Sequence, residues 1–139
     1  TYGKVGGLIC WENYMPLARL TLFQQSIEIY LAPTADHRDS WQHTIRHIAC
    51  EGRCYVLSCN QFVTKRDYPT DLPGEDLSGF DEIMSRGGTT VIDPLGNELI
   101  QPLWDQPGII MADLLSDVLV QSKMDFDVVG HYARNDLFR

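Results

Sequence analysis

The chain has 139 residues, 44% of them hydrophobic and 22% charged, with a formal net charge of −8. That is an ordinary globular composition, long enough for one domain with a real core. The eleven basic residues are scattered, which excludes the clustered charge that binds nucleic-acid phosphates or an anionic membrane.

No apolar run approaches the roughly 20 residues that span a bilayer. No charged-then-apolar leader is read, and the ends Thr1-Tyr2-Gly3-Lys4 and Leu137-Phe138-Arg139 look cut rather than natural. Three of the four cysteines crowd between Cys50 and Cys59. That favours reduced thiols in a cytoplasmic protein over a disulfide framework.

In chain order, Val5 to Ile9 is short, apolar and β-branched, and reads as a buried strand ending at Cys10. Pro16 suits a first helical turn, with Asn13 as a possible cap. Leu17, Leu20, Phe23 and Ile27 then recur at helical spacing. Ile29 to Ala32 predicts a second buried strand stopped by Pro33, and residues 34–38 a loop. Asp39 or Ser40 can cap a helix in which Trp41, Ile45, Ile48 and Ala49 share a face and Gly52 stands near the end. Cys54 to Cys59 is a third buried strand.

Lys65 to Ser85 is polar and rich in proline and glycine, and reads as a long surface loop. Gly87 to Ile92, the turn Asp93-Pro94-Leu95-Gly96-Asn97 and Glu98 to Leu103 form a hairpin. A further strand is expected over Gly108 to Asp113, a last helix over Leu114 to Met124, and an irregular tail from Asp125. Alternating strands and helices followed by a hairpin imply an α/β domain with a mixed sheet.

The chemistry of interest sits at Cys10. A thiol at the carboxyl end of a strand projects from a rigid element, and a following helix N-terminus and backbone N–H groups favour a thiolate and a developing anion. Gly6 and Gly7 let neighbouring backbone approach closely. Free cysteine is also among the most buried residue types, so a plain core role stands beside this reading. Trp11 and Pro33-Thr34 lie beyond strand ends on the same edge as Cys10 and are candidate pocket residues.

Two alternatives use other side chains. His43, His47, Cys50 and Cys54 fall on one face of the second helix and have zinc-ligand chemistry. Spread over three turns, they cannot all reach one ion, so no metal is assigned. A Cys–His pair with His37 or His131 as base is the other enzymatic possibility. Cys50, Cys54 and Cys59 are read as structural, and Trp41 and Trp104 as core.

The run Lys4-Val5-Gly6-Gly7-Leu8-Ile9-Cys10-Trp11-Glu12-Asn13-Tyr14-Met15-Pro16-Leu17-Ala18-Arg19 resembles the nucleophile segment of the nitrilases, within the carbon–nitrogen hydrolases. Ala32 to Asp36, Ala49 to Cys54, Ser58 to Gln61, Ser85 to Gly88 with Asp93 to Gly96, and Gly130 to Phe138 are similar to later segments in the same order. Cys-Trp-Glu-Asn with Met-Pro-Leu looks more like true nitrilases than the amidase branches. The resemblance implies part of an α-β-β-α sandwich, with helices on one face of a mixed sheet. It makes Cys10 the nucleophile and Glu12 a supporting residue.

It also implies a catalytic Glu, Lys and a second Glu that precede this stretch, so no residue here receives those roles; Lys4 and Glu12 are not substitutes. The implied activity is hydrolysis of a small-molecule nitrile through a thioimidate, without a cofactor, in a homodimer or spiral oligomer, with this chain inactive alone. A non-catalytic half-domain or assembly fragment, a cyanide-degrading enzyme and an amidase relative are the alternatives.

Overall fold

Three short parallel strands open the sheet. In the computed structural model, which describes residues 3–69 and 76–137, β1 (Val5–Gly7) pairs with β2 (Ile29–Leu31), and β2 with β3 (Tyr55–Ser58). The connections are α1 (Pro16–Gln24) and α2 (Asp39–Gly52). The chain then reverses. β5 (Ile83–Ile92) runs antiparallel to β3 and to β4 (Phe62–Thr64), and β6 (Glu98–Trp104) pairs antiparallel with β5. A last helix, α3 (Ser116–Asp125), follows.

The register decides where the core lies. Tyr30, Val56 and Ile92 are direct neighbours across β2, β3 and β5, so their side chains share one face. On that face they meet Trp41, Ile45, Ile48 and Ala49 of α2 and Phe23 of α1 in one buried cluster. Each large apolar side chain buried this way contributes about 1.5–3 kcal/mol. Trp41 is fully buried and spends its indole N–H on Ser58 Oγ at 2.8 Å, so its polar atom costs nothing. Gly52 is required where the helices meet: a Cβ there would lie 2.2 Å from the Phe23 ring.

The opposite face carries Leu31, Leu57 and Val91 and has no helix from α1 or α2. The extended segment 107–115 runs beside it, tied by Tyr55, whose hydroxyl donates to Leu115 O at 2.9 Å and accepts from Leu115 N at 3.0 Å. Between this segment and the sheet opens an apolar groove of about 640 Å³. The mixed sheet with helices on one face is thus as the sequence implied.

Several local readings are corrected. β1 is not buried: it is an edge strand of three residues, with Val5 and Ile9 exposed. Asn13 does not cap α1; Met15 stands at that position, and the Asn13 side chain is turned inward. Neither Asp39 nor Ser40 caps α2, which begins after Arg38 with no side-chain cap bond. Leu17 of the expected helical face is exposed, while Phe23 and Ile27 are buried. Trp104 is half-buried beneath the Arg86 guanidinium rather than in the core.

The long polar stretch is also shorter than expected. β4 precedes it, Lys65–Asp67 and Leu77–Gly79 form 3-10 turns, and β5 already begins at Ile83; its residues 70–75 lie outside the described residues. Gly108 to Asp113 is extended but pairs with no strand among the described residues, leaving Ile109 and Met111 exposed. The 93–97 turn is a turn, closed by Asp93 Oδ1, which accepts from Leu95 N and Asn97 N.

Candidate active site

Cys10 follows β1 and opens a 3-10 turn, Cys10–Tyr14. Its φ of +50° lies in the left-handed region, which costs a side-chain-bearing residue about 1–2 kcal/mol. Such a conformation persists only where the surroundings hold it. Here its N–H donates to Pro33 O at 2.8 Å, and its carbonyl accepts from Asn13 Nδ2 at 2.8 Å. The segment sits tight against β2, since a Cβ on Gly7 would lie 2.4 Å from Leu31 O. The expected helix dipole is corrected: α1 begins only at Pro16, and one 3-10 turn intervenes.

The half-buried Sγ accepts a hydrogen bond from Thr34 Oγ1 at 3.4 Å. It opens into a cleft of about 310 Å³ lined by Cys10, Trp11, Ala35, Asp36, His37 and Arg38. Trp11 is exposed on one wall and donates from Nε1 to Asp36 Oδ2 at 3.3 Å. Arg38 Nε reaches Asp36 Oδ1 at 2.8 Å, Nη2 bonds Oδ2, and the guanidinium lies 5.8 Å from the Trp11 ring centre. The Arg38 side-chain hydrogen bonds hold the Asp36 carboxyl down to about 2. Asp36 therefore stays ionised at the cleft and is a weak base at neutral pH.

The residues singled out from sequence divide. Trp11 lines the cleft with Cys10. Glu12 does not; its Oε2 accepts from Ile9 N at 2.7 Å, while its own N–H donates to Ile9 O at 3.0 Å, bracketing Cys10. Pro33 contributes its carbonyl to Cys10 and also lines the larger groove. Thr34 touches Sγ and also accepts from Asp36 N at 2.9 Å.

Among the described residues, Thr34 supplies the hydrogen bond that Sγ receives, and none joins His37 to it. His37 lines the cleft, whereas His131 packs against Tyr132 at 5.1 Å in the tail. The Cys–His pair is therefore not assembled. Among the described residues no three His, Cys, Asp or Glu side chains are placed to hold a metal ion. Cys54 lies in the core, where burial pushes its thiol up to about 12.

Sequence reasoning missed Asp36 and Arg38 as cleft residues. Their signal was an Asp-x-Arg pair in the loop that leaves the neighbouring strand. It also missed Tyr30, whose hydroxyl donates to Asn13 Oδ1 at 2.7 Å.

A mixed sheet that presents a cysteine beyond a strand end on a tight turn defines an α/β protein with a thiol-centred cleft. The carbon-nitrogen hydrolase family profile matches residues 1–123, and the chain belongs to that family. It is 47% identical to an aliphatic nitrilase of Sinorhizobium fredii, over 99% of this chain and 45% of that protein. It is 50% identical to an arylacetonitrilase of Trametes versicolor, over 97% of this chain and 43% of that protein. The chain thus spans less than half the length of the curated relatives it matches. A carbon-nitrogen hydrolase of Helicobacter pylori shares the fold, with a TM-score of 0.73 at 17% identity over 98% of this chain and 47% of that one.

Proposed function

We propose that the protein hydrolyses a small-molecule nitrile to a carboxylic acid and ammonia, with Cys10 as the nucleophile. The observation that carries this reading is the geometry of Cys10: a left-handed backbone held at both ends, and an Sγ facing a cleft. Its weight comes from family membership and from relatives described as aliphatic nitrilase and arylacetonitrilase.

In this mechanism the thiolate adds to the nitrile carbon, forming a C–S bond while the nitrogen takes a proton to give a thioimidate. Water adds to that carbon, the C–N bond breaks, and ammonia leaves a thioester. A second water releases the acid and returns the thiol. Thr34 Oγ1 orients Sγ, and Trp11 gives the cleft an apolar wall. The Glu and Lys required for proton transfer and for holding the charged nitrogen come from residues outside this sequence. Trp11, Glu12, Pro33 and Thr34 are assigned as pocket or support, not as acid or base.

The same reading includes a homodimer or spiral oligomer, supported by the exposed Met15 and Leu17 beside the site. A cytoplasmic setting is supported by four cysteines free of one another. No helix among the described residues is long and apolar enough to cross a membrane.

The test is ammonia release by the complete protein on a panel of aromatic, arylaliphatic and aliphatic nitriles, cyanide and the matching amides. Turnover of at least one nitrile, abolished in Cys10→Ala, is expected. Full activity in Cys10→Ala, or turnover of amides alone, would overturn the assignment.

A further inference from the structure

Asn13 is fully buried three residues after Cys10, and every polar group of its side chain is used. Nδ2 donates to Leu8 O at 2.9 Å and to Cys10 O at 2.8 Å. Both acceptors are carbonyls, so the amide can face them only with its NH2 group, and Oδ1 must face Tyr30. Tyr30 is fully buried on β2 and donates its hydroxyl to Oδ1 at 2.7 Å. Burial pushes that hydroxyl above its ordinary range, so it remains a donor across working pH.

The backbone of Asn13 is held as well. Its carbonyl accepts from Arg19 Nη1 at 2.6 Å, and Arg19, buried on α1, bonds Glu51 of α2 through Nε at 2.7 Å and Nη2 at 3.2 Å. A buried polar path therefore runs from the Cys10 carbonyl through Asn13 to β2, α1 and α2. Of the two groups that hold the Cys10 backbone, Pro33 restrains the N–H and Asn13 restrains the carbonyl.

We propose that Asn13, oriented by Tyr30, is the positioning residue that keeps Cys10 in its left-handed conformation and so aims Sγ at the substrate. The proposal rests on Cys10 being the nucleophile. It gives Asn13 no contact with substrate. Without that donor, the Cys10 backbone is free to relax to negative φ, and Sγ leaves Thr34 and the cleft.

The experiment compares the complete wild-type protein with Asn13→Ala, Tyr30→Phe, the double variant and Cys10→Ala, on one nitrile. Misplacing a reacting group by about 1 Å costs on the order of 100-fold in rate. Asn13→Ala should therefore lower kcat by about 100-fold with KM little changed. Tyr30→Phe keeps the ring and removes only the hydroxyl, and should lower kcat about tenfold. Because both act on one amide, the double variant should be no slower than Asn13→Ala.

Iodoacetamide alkylation of Cys10, followed by peptide mass spectrometry, should slow in the same order while the exposed Cys59 reacts unchanged. Wild-type kcat and Cys10 alkylation in a folded Asn13→Ala overturn the proposal, as do strictly multiplicative effects in the double variant. If Asn13→Ala does not fold, Tyr30→Phe decides alone: a kcat within threefold of wild type refutes the assignment. An active Cys10→Ala instead refutes the nucleophile reading itself.

Discussion

Gly7→Ala tests how tightly the nucleophile segment depends on the β1–β2 contact. The added Cβ would lie 2.4 Å from Leu31 O, 2.9 Å from Leu31 Cβ and 3.1 Å from Leu31 C, where ordinary contact begins near 3.4 Å. Two of these atoms are backbone, so the strands must separate by about 1 Å (3.4 minus 2.4) at this point. The Leu8 N to Leu31 O bond, already 3.2 Å, is then lost.

Overpacking costs about 1–3 kcal/mol, and the lost bond about 0.5–1.5 kcal/mol more. In a complete protein more than twice this length each kcal/mol moves Tm by about 1–2 °C, so a fall of roughly 2–9 °C is expected. Thermal unfolding of the complete protein by circular dichroism measures it. Gly79→Ala is the control, because nothing lies within 4 Å of its added Cβ; its effect should stay within about 0.5 kcal/mol. A Gly7→Ala Tm within 1 °C of wild type, or equal shifts in the two variants, would refute the close-approach argument.

Three further outcomes are expected. Ile45→Ala, at a fully buried position of α2, should cost about 2–5 kcal/mol in urea unfolding; a cost below about 1 kcal/mol would contradict its place in the core. Asp36 has a folded value of about 2, depressed from 3.8 mainly by the Arg38 side-chain hydrogen bonds. Its contribution is therefore complete above pH 3.8 and lost as pH falls through about 2. Asp36→Asn should be less stable than wild type at pH 6 and indistinguishable from it near pH 2, and a deficit that persists unchanged in acid would point to packing instead. The isolated 139-residue chain should self-associate through the apolar groove on its sheet face and release no ammonia from nitriles. Light scattering from a clean monomer would argue against the first, and Cys10-dependent ammonia release against the second.

Much of the architecture was legible because it rests on local periodicity. The 3.6-residue spacing of Trp41, Ile45 and Ile48 specifies a helix with one apolar face, and that face is the one buried. Asp93 and Gly96 specify their turn through an Asx acceptor and a positive φ, whatever surrounds them. The succession of short strands and helices was enough for a mixed α/β sheet. The motif order around Cys10 was enough for the family.

What periodicity could not supply was pairing. Gly108 to Asp113 has the composition of a strand, but a strand needs a partner edge, and among the described residues none is offered to it. β5 starts earlier than its apolar run because β4 lies beside it. The same limit governs the site. From sequence, Cys10 was a thiol at a strand end, and Asn13 a polar residue before a helix. Only the fold brings the Pro33 carbonyl, the Thr34 hydroxyl and Tyr30, which is 17 residues from Asn13, around them. Residue types set which groups can donate and accept, while the three-dimensional arrangement decides which of them meet.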